Sequence, residues 1–394
     1  MKPKKSKKKI LLYPPYEKWH SVYNPTIKLL SKEYELIYSP KEAVSTGKFS
    51  KVLRSPLVKY LYYRLFRPYF SLREFKSRIK RPQKTIINCD LIFASNCIPP
   101  GQSPYILDLE NITALGGYDY NRLDINNIRI ALEDPRCKQI ICWNEICKSS
   151  LINTINCSKL LNKITVIPFS IKSDKIPIKP TKETLNLLFV SSVNNVHDFE
   201  LKGGIITLKV FEYLSKKYQN IHLTIRAHVP QWVKKKYGHF KRINLIEGFL
   251  PDEKMKELFL NSDILLEPVP GINLLLESMN YAISTISFNF WMIPEMVIDG
   301  YSGLLVDSKS FLGDPSNMKD YLINLNLRWM RLYSKKINPK IVEEFIDKAE
   351  LLIKDKNLRK TMEKNAKGLI SPQGKYYFDS RNKKILRIFN QILN

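Results

Sequence analysis

The sequence lacks any run of about 18 consecutive apolar residues, the length that a membrane-spanning helix requires. The apolar segment 10–13, behind the basic start MKPKKSKKK, is too short for a signal peptide and ends in Pro14-Pro15. We interpret it as the first core strand behind a short basic arm. The sequence therefore predicts a cytoplasmic protein, or one that is peripheral on the inner face of the membrane.

The cysteines are few and do not follow the spacing of metal ligands. All six lie between positions 89 and 157, and none forms a CxxC pair or a Cys/His zinc spacing. Cys142 and Cys147 stand in a predicted strand-to-helix segment and fit buried thiols better than ligands. No Asp-x-Asp follows a strand in a polar loop. We therefore expect no metal and no other cofactor.

Acidic residues are scarce relative to basic ones. The chain has 37 Asp and Glu against 64 Lys and Arg, a formal net charge of +27. Such an excess implies a polyanionic partner: membrane phospholipid, nucleic acid or a phosphorylated substrate. A genome rich in Lys and Asn codons would also produce this bias. The absence of zinc-finger, helix-turn-helix and RNP patterns disfavours nucleic acid.

Much of the positive charge is concentrated in residues 51–84, which contain eleven Lys and Arg, one acid and many aromatic residues. Leu57, Leu61 and Leu65 follow helical spacing. A basic amphipathic segment with Tyr and Phe suits an anionic lipid surface. The same composition also suits stacking on single-stranded nucleic acid, or an ordinary packing helix with a solvated basic face. We expect an anionic membrane surface as the partner.

The chain has the length and the pattern of two α/β domains. At 394 residues and 44% hydrophobic content it is too long for a single core. Predicted strands at 9–13, 34–38, 90–94, 105–109, 139–143 and 163–169 alternate with helical segments. After a polar, Pro-containing linker at 170–183, the pattern restarts with strands at 186–191, 221–226 and 243–247. This order predicts two parallel sheets with a ligand cleft between them.

The most informative segment is 263–307. A strand is followed by a Pro/Gly loop, a helix containing Glu277, a second strand at 283–288, Pro294-Glu295, the turn Asp299-Gly300 and the strand GLLV. This is a βαβ unit, and its loops fall at the carboxyl ends of the strands. Open α/β sheets bind their ligands at that edge.

The segment resembles the donor-sugar site of glycosyltransferase family 4, whose pattern is roughly P-x-x-E-G-F-G-x-x-x-L-E-A-M-A followed by P-E-x-V-x-D-G-x-x-G-L-L-V. The resemblance implies an α/β protein of GT-B architecture, with two Rossmann-like domains facing a cleft. It implies an acceptor-side domain at 1–170 and a nucleotide-sugar-binding domain at 171–374. The C-terminal helix 375–394 then crosses back to the N-terminal domain.

The implied activity is that of a hexosyltransferase-type enzyme. It moves a sugar from a nucleotide-sugar donor to a hydroxyl of a lipid-linked or polysaccharide acceptor, with retention and without a metal. The alternative is a catalytically inactive, glycosyltransferase-like protein that binds a nucleotide or a glycan.

Two residues carry the implied donor site. Glu277 matches the second Glu of the family's E-x7-E pair, which binds the ribose hydroxyls. A carboxylate accepts two charge-assisted hydrogen bonds from a vicinal diol, although a Glu also suits a helix N-terminus for its dipole. Lys202, followed by Gly203, matches the family's Lys-Gly motif at the donor phosphate. The other interpretation of Lys202 is a solvent-facing residue at a helix start.

The sequence departs from the family at the first Glu of the pair, where Val269 stands. Glu267 is the nearest acid and is a candidate to turn into the sugar pocket. Alternatively, the backbone N–H groups of Gly271, Ile272 and Asn273 contact the sugar. The family's earlier Arg is also missing, and His197 or Arg226 is a candidate to supply its charge.

The remaining candidates follow from the same resemblance. Gly248 matches a loop near the nucleotide base, or serves a tight turn. Glu295 either tethers its loop or contacts the donor. Asp108 and Glu110 follow the strand that usually precedes a His, and either one is a candidate to orient or deprotonate the acceptor hydroxyl. His20, in the first strand-to-helix loop, is a candidate on the acceptor side.

Overall fold

The computed structural model describes residues 7–14, 19, 23–39, 88–117, 120, 123–172, 179, 183–195, 197–312 and 337–393. His20, the basic segment 51–84 and most of the N-terminal arm lie outside the described residues. The described residues form two units. The first runs to Phe169 and includes the residues from Asp379 onward, and the second lies between Ser170 and Phe378.

The first unit is built on a parallel sheet. Its elements are β1 (Lys9–Tyr13), α1 (Asn24–Glu33), β2 (Glu35–Tyr38), β3 (Leu91–Ser95), β4 (Tyr105–Leu109), α2 (Ile125–Glu133), β5 (Cys137–Cys142), α3 (Glu145–Ile155) and β6 (Ile164–Val166). Its described strands lie in the order β2-β1-β3-β4-β5-β6. The central strands β3 and β4 are buried along their whole length, as expected for a parallel sheet covered on both faces.

The last helix of the chain, α13 (Phe378–Leu393), packs on this first sheet. The ring of Phe389 lies 5.3 Å from that of Phe93 in β3 and 6.1 Å from that of Tyr34, measured between centroids. Arg381 is buried, and its Nη1 donates to Thr26 Oγ1 of α1 at 2.5 Å. The C-terminal helix therefore completes the core of the N-terminal unit.

The second unit repeats the pattern. Its elements are β7 (Leu185–Val190), α4 (Asp198–Leu201), α5 (Gly204–Lys217), β8 (Ile221–Arg226), α6 (Gln231–Tyr237), β9 (Ile243–Ile246), α7 (Asp252–Leu260), β10 (Ile264–Leu266), α8 (Ile272–Asn280), β11 (Ser284–Asn289), α9 (Ile293–Met296), β12 (Gly303–Asp307), α10 (Lys309–Leu312), α11 (Pro339–Lys354) and α12 (Lys356–Leu369). The described strands are parallel, in the order β12-β11-β10-β7-β8-β9.

This strand order creates a switch point between β7 and β10. The chain builds outward from β7 to β8 and β9, and then continues at β10 on the other side of β7. The helices that follow β7 and β10, α5 and α8, therefore pack on opposite faces of the sheet. A crevice opens at such a point, and ligands of open α/β sheets bind there.

Helices pack on the second sheet through apolar side chains and backbone contacts. Phe288 of β11 meets Phe345 of α11 with ring centroids 5.0 Å apart. Ser284 Oγ donates to the carbonyl of Arg359 in α12 at 3.2 Å. Lys367 Nζ donates to the carbonyl of Asn280 at 2.8 Å, at the C-terminal end of α8. A cation at that end of a helix is favoured by the helix dipole.

Three expectations from the sequence concern membrane-spanning helices, cysteines and metal ligands. Among the described residues, no helix combines the length and the apolar composition that a bilayer-spanning helix requires. The six cysteines are free thiols, and Cys137, Cys142 and Cys147 are buried. No group of three His, Cys, Asp or Glu residues within the described ranges has the arrangement of a metal site.

Phe389→Ala tests the packing of α13. Phe389 is fully buried, so its removal leaves a cavity, and we expect the free energy of unfolding to fall by about 3–5 kcal/mol. The measurement is equilibrium urea unfolding followed by circular dichroism. Lys384→Ala, on the exposed side of the same helix, is the control and should change the value by less than about 0.5 kcal/mol. Equal small effects of both substitutions would contradict the packing of this helix.

Candidate functional site

Lys202 lies in a turn whose backbone only glycine accommodates well. Gly203, the residue before α5, has φ +87°, and a Cβ there would come within 2.6 Å of the Pro268 side chain. The N–H of Val269 donates to the Lys202 carbonyl at 3.2 Å. The loop after β7 is therefore fastened to the loop after β10, on either side of the switch point.

The side chain of Lys202 extends toward the start of α8. Its Nζ lies 4.0 Å from the position that a Cβ on Gly271 would occupy, and Gly271 is the N-cap of α8. The first N–H groups of a helix carry partial positive charge and lack intrahelical acceptors. Within the described residues, Lys202 forms no salt bridge. An ammonium group and a helix N-terminus together make a site for an anion.

Glu277 lies on the same helix, in its second turn. It is half-buried, whereas the exposed Asn273 precedes it by one turn. Residues four apart share one helix face and are separated by about 6 Å along the axis. The carboxylate of Glu277 therefore follows the helix N-terminus along one face of α8. The opposite face of the helix is buried through Leu275, Leu276 and Met279.

Glu267, the candidate replacement for the missing first Glu, is buried beside the neighbouring strand β7. Its side chain is fully buried, and Oε2 accepts a hydrogen bond from the N–H of Val190 at 3.1 Å. Burial raises the pKa of the carboxyl to about 8, although Lys202 and the Val190 bond both act to lower it. Val269, at the family's acidic position, packs against the apolar core.

Two candidates lie at the carboxyl ends of β8 and β9: Arg226, for the charge of the family's missing Arg, and Gly248, for the loop near the nucleotide base. Nη1 of Arg226 donates to the Ser191 carbonyl at 3.2 Å, and burial lowers the pKa of the guanidinium. Gly248 has φ +83° and open space around it. Phe249, which the sequence analysis did not single out, is 81% exposed. An aromatic residue directly after a loop Gly at a strand end was the signal that could have identified it.

Two other candidates lie elsewhere in this unit. Glu295, in α9, has Lys375 Nζ at 3.5 Å from its Oε2, and its carbonyl accepts a hydrogen bond from the Tyr376 hydroxyl at 2.6 Å. These contacts fasten the Pro294-Glu295 turn to the segment before α13. His197, adjacent to α4, is buried.

In the first unit, Asp108 is part of a buried hydrogen-bond network. Its Oδ1 accepts a hydrogen bond from the Tyr23 hydroxyl at 2.6 Å and another from the Trp143 indole N–H. Ser95 Oγ donates in turn to the Tyr23 oxygen at 3.1 Å. Burial raises the pKa of Asp108 to about 6, against the opposing effects of Tyr23, Trp143 and the charge of Arg381. The carboxylate thus organises side chains from distant parts of the sequence.

Glu110 has a different environment. It lies just after β4, is half-buried, and its backbone N–H donates to Asn96 Oδ1 at 2.7 Å. Asn96 itself has φ +55°, which this side-chain bond helps to stabilise. Of the two predicted acids at the carboxyl end of β4, Glu110 is the more accessible.

The structure thus groups the predicted residues by unit. Lys202, Gly203, Gly271 and Glu267 converge at the switch point of the second sheet, and Ile272, Asn273 and Glu277 continue from it along α8. Arg226 and Gly248 lie at the carboxyl ends of the neighbouring strands. Asp108 and Glu110 belong to the other unit.

Comparison with known proteins relates this geometry to a fold. No protein-family model and no curated protein matches the sequence. Among solved structures, a glycosyltransferase from Rickettsia africae matches with a TM-score of 0.59 at 13% identity, covering 98% of this chain and 99% of that one. The Anabaena protein Alr3699/HepE, in complex with UDP and glucose, gives 0.55 at 11% identity over 98% and 99% of the two chains.

WaaG, a glycosyltransferase involved in lipopolysaccharide biosynthesis, matches with a TM-score of 0.56 at 15% identity, covering 96% of this chain and 99% of that one. At these identities the likeness concerns the fold. The two parallel sheets with their flanking helices confirm the predicted α/β architecture, and the chain has the GT-B fold.

Proposed function

We propose that this protein is a glycosyltransferase that moves a sugar from a nucleotide-sugar donor to a hydroxyl group. The observation that carries the proposal is the position of the Lys202 ammonium beside the N-cap of α8, at the switch point of the second sheet. The fold shared with glycosyltransferases, one of them in complex with UDP and glucose, supports the same class of substrate.

The donor diphosphate occupies the anion site. Lys202 contributes a full positive charge, and the free N–H groups of Ile272 and Asn273 contribute hydrogen bonds and the helix dipole. When the bond between the sugar and the diphosphate breaks, negative charge grows on the leaving oxygen. Groups already fixed at that oxygen stabilise the transition state more than the ground state. We therefore propose a reaction that needs no metal ion.

The nucleoside lies along α8 and toward β9. Glu277 accepts hydrogen bonds from the two ribose hydroxyls, about one helical turn from the diphosphate. Phe249 offers an exposed ring on which the base stacks, and the backbone around Gly248 is free to read the base edge. Aromatic stacking contributes about 1–3 kcal/mol per base in nucleic-acid complexes.

For activation of the acceptor hydroxyl, the resemblance to family 4 implies a carboxylate of the first unit. We propose Glu110 for this role rather than Asp108, because Asp108 is buried and bonded to Tyr23 and Trp143. A carboxylate that orients or deprotonates a hydroxyl has to be reachable by it. The stereochemical course is retention, as the resemblance to family 4 implies. We propose a lipid-linked or polymeric acceptor, and the excess of Lys and Arg fits an acceptor carried on an anionic membrane surface.

Lys202→Ala tests the diphosphate site. Loss of a charged hydrogen bond costs about 1.5–3 kcal/mol, so we expect the Kd for the bound nucleotide to rise about 10- to 100-fold. UDP, GDP and ADP are screened by thermal shift, and the active one is measured by calorimetry. Lys216→Ala, at the other end of α5, removes the same charge and should leave the Kd unchanged. Failure of all three nucleotides to bind the wild-type protein would refute the proposed donor.

Glu277→Ala tests the ribose contact. We expect a 10- to 100-fold weaker Kd, roughly the loss of a charge-assisted hydrogen bond. A double-mutant cycle with the 2′,3′-dideoxy nucleotide isolates the interaction, because the variant should no longer discriminate the two ligands. If the variant still prefers the ribose form as strongly as the wild type does, Glu277 does not contact the diol.

We propose that the basic segment 51–84 binds an anionic membrane surface, and vesicle flotation tests this. Basic residues near an anionic surface contribute roughly 1 kcal/mol each, so the protein should float with phosphatidylserine vesicles and not with neutral ones. High salt should release it, and Arg73→Glu with Lys76→Glu should weaken binding. Equal binding of the charge-reversed and wild-type proteins would exclude Arg73 and Lys76 from the contact, and failure of the wild type to float with anionic vesicles would refute the membrane proposal.

A further inference from the structure

Glu267 is a buried acid with an incomplete set of partners. It follows β10, its side chain is fully buried, and Oε2 accepts from the N–H of Val190 on the neighbouring strand β7. Oε1 is also buried and has no hydrogen-bond partner among the described residues. A buried carboxylate oxygen without a partner is costly in its charged form.

Two charged groups act on this carboxyl. Lys202, in the turn after α4, favours the ionised form, and Asp198, in α4, favours the protonated form. Lys202 acts on Asp198 in the same direction, while burial raises the pKa of that acid as well. The backbone contacts of Glu267 come from β7 and β11, through Val190 and the carbonyl of Ile286, and carry no net charge.

The ionised state of Glu267 therefore depends on Lys202. The ammonium is the cation that offsets a negative charge on the buried carboxyl. The same ammonium lies beside Gly271, where an anion binds at the start of α8. An anion in that position brings negative charge toward Glu267 and engages its counter-ion. Ionised Glu267 and bound anion are then mutually unfavourable.

We propose that Glu267 accepts a proton when a diphosphate binds at Lys202. Binding of the diphosphate and protonation of the Glu267 carboxylate are thus coupled through the Lys202 ammonium. The coupling rests on the proposed function, since it takes the diphosphate of a nucleotide as the anion. The proton comes from solvent and joins a carboxylate oxygen, and no other bond forms or breaks. Release of the nucleotide returns the proton.

The sign and the pH range of the coupling follow from the buried carboxyl. Burial raises its pKa from the ordinary 4.5 to about 8 in the free protein. In the proposed coupling, the charge of a bound anion raises it further. Well below pH 8 the carboxyl already holds its proton, and binding takes up none. Between pH 8 and the higher pKa of the carboxyl in the complex, each binding event takes up close to one proton, so affinity falls as the pH rises through this range.

Calorimetry of the wild-type protein measures this coupling without a variant. The nucleotide that binds among UDP, GDP and ADP is titrated in two buffers of different ionisation enthalpy, which gives the number of protons taken up. After the nucleotide's own ionisation is subtracted, we expect almost no uptake at about pH 6.5, about half a proton at about pH 8, and a Kd that rises about tenfold between about pH 7 and pH 9.

Two variants assign the proton to one residue. Glu267→Gln keeps an acceptor for the Val190 N–H and cannot ionise, so its Kd should stay nearly constant over the same pH range. Asp198→Asn is the matched control, because it removes the other acid that acts on Glu267. It should keep a pH-dependent Kd, with the rise shifted to lower pH because Asp198 no longer favours the protonated carboxyl. Ionisation of the nucleotide is common to all three proteins and cancels in the comparison.

Stability against pH checks Glu267 without any nucleotide. A carboxyl with a raised pKa in the folded state holds a proton that the unfolded chain releases. Stability should therefore be highest below about pH 4.5 for this group and fall as the pH rises toward about 8. Glu267→Gln should lack this component of the fall, while Asp198→Asn keeps it. The same melting curves show whether each variant is folded.

The possible outcomes distinguish a failure of the coupling from a failure of the proposed function. A pH-dependent Kd in the wild type that disappears in Glu267→Gln supports the coupling. A Kd that does not change with pH, or a slope that persists in Glu267→Gln, overturns it while leaving the donor site intact. If no nucleotide binds at any pH, the proposed function itself fails and the coupling fails with it.

Discussion

The close approach of Gly203 to Pro268 determines the geometry of the second unit's candidate site. A side chain at position 203 would come within 2.6 Å of the proline ring, and the backbone there has a positive φ. Because both loops are fixed by this contact, Lys202 projects toward Gly271 and the start of α8. The anion site is thus a property of how two loops pack at a switch point, more than of any one side chain.

The sequence predicted the elements well, because buried parallel strands are short apolar runs separated by helices. The resemblance to family 4 singled out Lys202 and Glu277, and their roles at the donor site stay predictions. The sequence could not predict the direction of Glu267. The side chain of a residue at the end of a strand faces one side of the sheet or the other according to register, and pairing with β7 sets that register.

The buried hydrogen-bond network around Asp108 was equally hard to predict from the sequence. The Asp108 partners Tyr23, Trp143 and Arg381 come from three distant parts of the chain and meet only in the folded unit. The two buried acids nevertheless differ in kind. The carboxylate of Asp108 accepts hydrogen bonds from two side chains, Tyr23 and Trp143, which makes a rigid network. Glu267 has one donor and a neighbouring cation, so its charge state responds to whatever else that cation binds.

The packing of α13 has a consequence for the order in which the two units complete their folding during synthesis. Domains usually fold from the N-terminus as the ribosome releases them. Here Phe389 completes the core around Phe93, and Arg381 provides the positive charge that acts on Asp108. Both residues follow the second unit in the sequence. The ribosome releases all residues of the second unit before it releases the last helix of the first unit. The first unit to be synthesised is therefore the last to be finished.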